Sequence, residues 1–209
     1  MLLCAVLVVS RVAMGTIAYL TASTSVTNTF TVGNVSIVVE ETDVNEDGKP
    51  VDGEGNVLPD GGGVGHTKEG NEYRLVLGRN YVKAPTVTIK AECEESYVRM
   101  LVAISDINDV KTNLKATTGE DFMLGEYVEG YEDNKWLYVG ETVDANDSNI
   151  TIYEFRYHET VSTLDKETRA LEPLFKIFTV PGKLNNAQLN TIREMEIQVY
   201  GQAIQAATF

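Results

Sequence analysis

"GTIAYLTASTSVTNTFTVGN", residues 15–34, decides how the rest of the chain is read. From Tyr19 onward the odd positions, Tyr19, Thr21, Ser23, Ser25, Thr27, Thr29 and Thr31, all carry hydroxyls. The even positions, Leu20, Ala22, Thr24, Val26, Asn28, Phe30 and Val32, are mostly apolar. A two-residue period in β-forming residues, unbroken by Gly or Pro until Gly33, predicts an amphipathic strand. At about 3.3 Å per residue, residues 19–32 would reach roughly 46 Å when extended. Strands of globular sheets usually run only about 3–10 residues. Two arrangements satisfy so long an element. It bends at a bulge and serves both sheets of its own sandwich, or its amino-terminal half lies in a groove of the next molecule. Strand addition of the second kind takes affinity from main-chain bonds and specificity from alternate side-chain pockets. Because donor end and acceptor groove differ, such a contact is head-to-tail and builds filaments.

Immediately upstream, "LLCAVLVV" (residues 2–9) and the weaker "VAMGTIA" (residues 12–18) form an interrupted apolar leader. It falls short of the about 20 apolar residues that span a membrane. With small residues at Thr16 and Ala18, it reads as a secretory signal over residues 1–18, cut between Ala18 and Tyr19. Membrane attachment is then expected only through an uncleaved leader.

Past the leader, short alternating segments recur. "NVSIVVEE" places Val35, Ile37 and Val39 on one face; "NEYRLVLG" does the same with Tyr73, Leu75 and Leu77. "PTVTIKAE" aligns Val87, Ile89 and Ala91, and "SYVRMLVAIS" aligns Val98, Met100, Val102 and Ile104. "KWLYVG", "ITIYEFRY", "LFKIFTV" and "MEIQVYGQAI" continue the pattern. Eight or nine short strands joined by polar loops predict an all-β, jelly-roll-like β-sandwich over residues 19–209. Helix is minor, expected within residues 106–122 and in "NNAQLNTIREM" with Asn185 or Asn186 as cap. Residues 42–70, acidic and centred on "PDGGGVG", are expected to form a mobile surface loop between two strands.

With 17 Lys and Arg against 31 Asp and Glu, the net charge of -14 disfavours nucleic acid and anionic lipid as partners. Removing the leader takes away Cys4 and leaves Cys93 without an intrachain partner, so neither a disulfide framework nor a cysteine metal site can form. "DVNEDGKPVDGE" carries oxygen ligands at the spacing of a calcium loop, with Asp43, Asn45 and Asp47 alternating, Gly48 sixth and Glu54 twelfth. Its flanks are a strand and a Gly/Pro-rich stretch rather than helices, so weak calcium binding competes there with a hydrated hairpin. Catalytic zinc needs His residues at tight spacing, and the chain has only His66 and His158; "HETVS" places Ser162 where a second His would stand. No Gly-x-Ser-x-Gly elbow occurs, and Glu92, Glu94 and Glu95 beside Cys93 oppose thiolate formation. "GGGVG" lacks the Lys-Ser/Thr and helix of a phosphate loop. Trp136, Tyr138, Tyr153 and Phe155 read as core, with a sugar-stacking face as the alternative.

The junction "GTIAYLTASTSVTNTFTVGNVSI" resembles the signal-to-mature junction of the TasA/camelysin family, as do "GRNYVKAPTVTIKAECEESYVRMLVAIS", "LEPLFKIFTVPGKLNNAQL" and "IQVYGQAIQAATF". These are exported proteins of Gram-positive bacteria whose leaders are cut by a signal peptidase of the SipW type. The resemblance implies a jelly-roll domain, cleavage between Ala18 and Tyr19, and a donor segment beginning at Tyr19 that builds biofilm matrix fibres. Some relatives are labelled metalloproteases; the missing His-Glu-x-x-His keeps that label from this chain. The expectation is therefore a secreted, non-enzymatic subunit at the cell surface or in the matrix, without a cofactor unless calcium binds. Its partners would be copies of itself in a head-to-tail homopolymer and the signal peptidase. Leu20, Ala22, Val26, Phe30 and Val32 would form the donor stripe. The alternatives are a monomeric surface module binding calcium or glycan, and a secreted metalloprotease.

Overall fold

The computed structural model describes residues 20–22, 24–26, 35–58, 65–131, 135–164, 167–192 and 195–206. Strands β1 (Leu20–Ala22), β2 (Thr24–Val26), β3 (Ile37–Thr42), β4 (His66–Thr67), β5 (Asn71–Tyr73), β6 (Asn80–Val82), β7 (Thr86–Ile89) and β8 (Ser96–Ser105) precede helix α1 (Ile107–Thr118). Strands β9 (Val128–Glu129), β10 (Trp136–Val143), β11 (Ile150–Tyr157), β12 (Arg169–Ala170) and β13 (Ile177–Thr179) follow, then helix α2 (Asn186–Thr191) and strand β14 (Ile197–Gln205). The architecture is the all-β sandwich anticipated from the alternating segments. One sheet runs β10-β11-β8-β14-β2, a second β12-β7-β3-β4, a third β6-β13-β9, and β1 pairs with β5. Among the described residues every pairing is antiparallel except that of β14 with β2.

Parity makes the core. Val98, Met100, Val102 and Ile104 of β8 are buried, as are Tyr153 and Phe155 of β11 and Val199 of β14. They face Ile37 and Val39 of β3 and Val87 and Ile89 of β7, all buried from the opposing sheet. The sheets approach closely at Gly201. A Cβ there would stand 2.4 Å from Val39 Cγ2, 3.3 Å from Ile37 Cδ1 and 3.4 Å from Val87 Cγ2. The missing side chain is what lets β14 lie so near β3.

Helix α1 seals one end with Ile107, Val110 and Leu114, a stripe at helical spacing, and stops at Gly119 in the left-handed conformation (φ 79). Helix α2 is held by a capping box in which the Asn185 side chain accepts from the Gln188 N–H and the Gln188 side chain accepts from the Asn185 N–H. Of the two cap candidates, Asn185 is the one used.

Three expectations need correction. Ala91 is exposed, because β7 stops at Ile89 and the chain turns through Glu92 at φ 59. Only the first part of "NEYRLVLG" is strand; Leu75 and Leu77 pack half-buried on the core outside it. The stretch after Thr42 is no loose excursion. Residues 43–58 fold into two consecutive tight arches, bridged by Val44 with Pro50 and Val51 with Val57, and buried Val44 and Val51 anchor them. Backbone bonds from Asp43 N to Gly65 O (2.9 Å) and Gly65 N to Val51 O (2.8 Å) then tie the arches to the returning strand β4. Two inward-facing valines outweigh the acidic composition that suggested mobility. Residues 59–64, which carry the glycine run, lie outside the described residues.

Candidate assembly site

The opening strand divides within its first seven positions. Leu20, Thr21 and Ala22 ladder on Tyr73, Glu72 and Asn71 of β5. Thr24, Ser25 and Val26 then pair in parallel with Val199, Tyr200 and Gly201 of β14. One short segment thus serves two sheets of its own chain, the intramolecular arrangement of the two considered above. Ala18, Tyr19, Phe30 and Val32 lie outside the described residues. Of the proposed donor stripe, Leu20, Ala22 and Val26 are brought onto ladders, and the structure speaks for their backbones.

The ladder is slight. Strand β14 pairs with β8 over nine positions but with β2 over only three, and that contact is parallel, the weaker geometry per residue. At the other end of the five-stranded sheet, β10 presents exposed Leu137, Tyr138, Val139 and Val143. A register shift between Tyr138 and Gly140 kinks this edge, and Glu141 follows directly. A bulge and a charge are devices that discourage pairing at a free edge. The edge at β14 carries instead the three-residue strand β2. Sequence parity placed Tyr138 in the core with Trp136; the bulge and the edge position leave it exposed, while Trp136, Tyr153 and Phe155 are buried.

The calcium-loop residues do not converge. Asp47 Oδ1 accepts from Arg74 Nη2 and Arg79 Nη1, both at 2.8 Å. The Arg74 hydrogen bond, then that of Arg79, hold its carboxyl below the ordinary carboxylate range. Asn45 Oδ1 accepts from the N–H groups of Asp47 (3.1 Å) and Lys49 (3.0 Å), closing a turn rather than facing outward. Glu54 is exposed at the tip of the second arch, where its N–H donates to Asp52 Oδ1 (2.9 Å). Asp43 contributes its backbone to the arch ladder. Arg74 and Arg79, distant in sequence, are what the spacing could not reveal. Among the described residues no group of three or more His, Cys, Asp or Glu is placed to hold a metal ion.

Sequence reasoning also missed a polar cluster inside the core. Glu41 and Lys83 are both fully buried (0 % side-chain exposure) and joined at 2.6 Å. The Asn71 side chain reaches the same carboxylate at 2.8 Å. The signal was present as parity, since Glu41 continues the inward positions Ile37 and Val39, and Lys83 lies in step with buried Tyr81 and Val87. Among the described residues no helix is long and apolar enough to cross a membrane. Comparison of the chain with protein-family profiles, with curated proteins and with solved structures finds no match.

Proposed function

We propose that the protein is a secreted structural subunit of an extracellular fibre or biofilm matrix, assembling head-to-tail by donor-strand addition. The observation that carries this reading is the short split cover formed by residues 20–22 and 24–26, laddered on β5 and β14. When that segment leaves its own chain and enters the same two ladders of a neighbour, every backbone pairing is reproduced. Exchange of an identical element between copies therefore costs little in bonding, and the head-to-tail geometry leaves the chain of contacts open. The parity of residues 19–32 supports the same reading, since one face is mostly apolar and the other hydroxylated, as suits a groove-filling strand. The leader over residues 1–18 supports secretion. The blunted edge at β10 directs addition to the β14 side.

The test is removal of residues 19–26 from the purified protein, followed by electron microscopy and size-exclusion chromatography. The truncated chain is expected to stay monomeric under conditions in which the intact chain forms filaments. Filaments from the truncated chain at the yield of the intact one would overturn the donor role. A calcium or glycan module finds no support in the positions of Asp43, Asn45, Asp47 and Glu54, or in the burial of three of the four aromatic residues.

A further inference from the structure

We propose that Lys83 and Asn71 become joined by an intramolecular isopeptide bond, formed within the folded protein with Glu41 carrying the protons. Glu41 ends the inward run of β3, Asn71 opens β5, and Lys83 follows directly after β6. Their side chains meet in the interior: Glu41 and Lys83 are fully buried and Asn71 is 4 % exposed. A single carboxylate holds both nitrogens. Lys83 Nζ donates to Glu41 Oε2 at 2.6 Å, and Asn71 Nδ2 donates to Glu41 Oε1 at 2.8 Å. The amide is fixed at its other end as well, because Asn71 Oδ1 accepts from the Val44 N–H at 2.9 Å and Nδ2 also donates to Thr42 O at 2.9 Å.

Aminolysis of an amide needs an uncharged amine, a polarised carbonyl, a group that moves a proton from entering to leaving nitrogen, and exclusion of water. Each requirement has a residue here. Burial pushes the Lys83 pKa down, against the opposing pull of Glu41, in the direction of the uncharged amine that attack requires. The Val44 N–H polarises Asn71 Oδ1 and lies where negative charge would develop on it. The side chains of Glu41, Asn71 and Lys83 are themselves buried, as is Tyr73 beside them, which keeps bulk water from the site.

The step balances without any co-reactant. Glu41 first takes one proton from the Lys83 ammonium. The Nζ lone pair then attacks Asn71 Cγ, and the carbonyl electrons move to Oδ1. Glu41 gives its proton to Nδ2 while accepting another from Nζ. The carbonyl reforms, the Cγ–Nδ2 bond breaks and ammonia departs. One amine and one amide become one amide and one ammonia, and Glu41 ends protonated. A fully buried ion pair, whose desolvation opposes folding, is thereby replaced by a neutral amide. The bond would close the chain from residue 71 to residue 83 and anchor β5, the strand on which β1 is laddered.

Mass spectrometry of the purified full chain decides the matter. The denatured wild-type protein is expected to be lighter than its sequence by one ammonia. Its tryptic digest is expected to yield a branched peptide joining Asn71 to Lys83, with no cleavage after Lys83. Lys83→Met and Glu41→Gln are each expected to lack the branched peptide and to carry the full mass. Folded wild-type protein at full sequence mass overturns the proposal, and this readout does not depend on any variant folding. A Glu41→Gln protein that is cross-linked as completely as the wild type overturns the role of Glu41.

Discussion

A methyl group added at Gly201 tests both the sandwich and the strand on which the opening segment docks. In Gly201→Ala the new Cβ would stand 2.4 Å from Val39 Cγ2, far inside contact distance, with Ile37 Cδ1 at 3.3 Å and Val87 Cγ2 at 3.4 Å. Replacing Gly by Ala elsewhere stabilises by about 0.4–1 kcal/mol through the unfolded chain. Overpacking a filled core costs about 1–3 kcal/mol. The second effect wins here, because the obstructing atom belongs to a stiff β-branched side chain that is fully buried. A net loss of about 1–2 kcal/mol is expected, which for a chain of this size lowers Tm by about 2–8 °C. Equilibrium denaturation of Gly201→Ala, Val39→Ala and the double variant isolates the cause. Val39→Ala removes Cγ2 and on its own costs about 2 kcal/mol as a large-to-small core change. In the double variant the new methyl fills the space vacated, so the two losses are expected to fall short of additivity by about 0.5–3 kcal/mol. A Gly201→Ala protein as stable as the wild type would refute the reasoning. So would a double variant whose losses add within about 0.5 kcal/mol.

Three further outcomes follow from single contacts. Asp47 has a folded-state pKa below its ordinary value of 3.8, so its contribution is present above that pH and lost as pH falls through the lower folded value. Asp47→Asn is therefore expected to lower Tm at pH 7, with the gap to wild type closing well below pH 3.8; a gap unchanged in acid contradicts the ion pairs with Arg74 and Arg79. Because Asp47 and Asn45 already serve those arginines and the turn, millimolar calcium is expected to leave Tm unchanged, and a calcium-dependent rise would reinstate the loop as a site. Cys93 is fully buried, with Sγ accepting from the Ser36 N–H at 3.2 Å. In the chain lacking residues 1–18 a thiol reagent is expected to react only after unfolding; rapid labelling of the native protein would show an accessible thiol.

The sequence made the sandwich legible wherever inward positions were apolar and outward ones polar. Strand β8 is the clearest case, with four consecutive inward residues named correctly. The same parity carried further information that polarity concealed. Glu41 and Lys83 occupy inward positions, yet a charged residue is read as outward by default because a lone buried charge is so unfavourable. Only the partner makes burial tolerable, and these partners are separated by 42 positions. The same holds for Asp47, whose neighbours in sequence match a calcium loop while its neighbours in space are Arg74 and Arg79. Edge position was equally hidden: Tyr138 and Trp136 share a parity, and only sheet order and the bulge separate their exposure. The arches of residues 43–58 escaped notice because two valines in an acidic stretch form no periodic pattern.

The exchange reading yields one more outcome, and it requires no filament to form. A segment tethered beside its own groove has an effective concentration in the millimolar range, so self-closure is the expected state of a dilute single copy. The ladders of residues 20–22 and 24–26 within one chain agree with that. A chain lacking residues 19–26 has an empty groove on β5 and β14, and a synthetic peptide of residues 19–26 should fill it. At a peptide concentration of 100 times Kd the gain is about 2.7 kcal/mol, or about 5–11 °C in Tm at the sensitivity of a chain this long. The same peptide with Leu20, Ala22 and Val26 replaced by Ser keeps every backbone donor and acceptor but loses its apolar face. It is expected to give little shift, since pocket filling supplies the specificity of an added strand. Equal stabilisation by both peptides would mean that the groove recognises backbone alone. No shift with either, at millimolar peptide, would mean that the segment cannot be supplied from outside, and the head-to-tail assembly would fall with it.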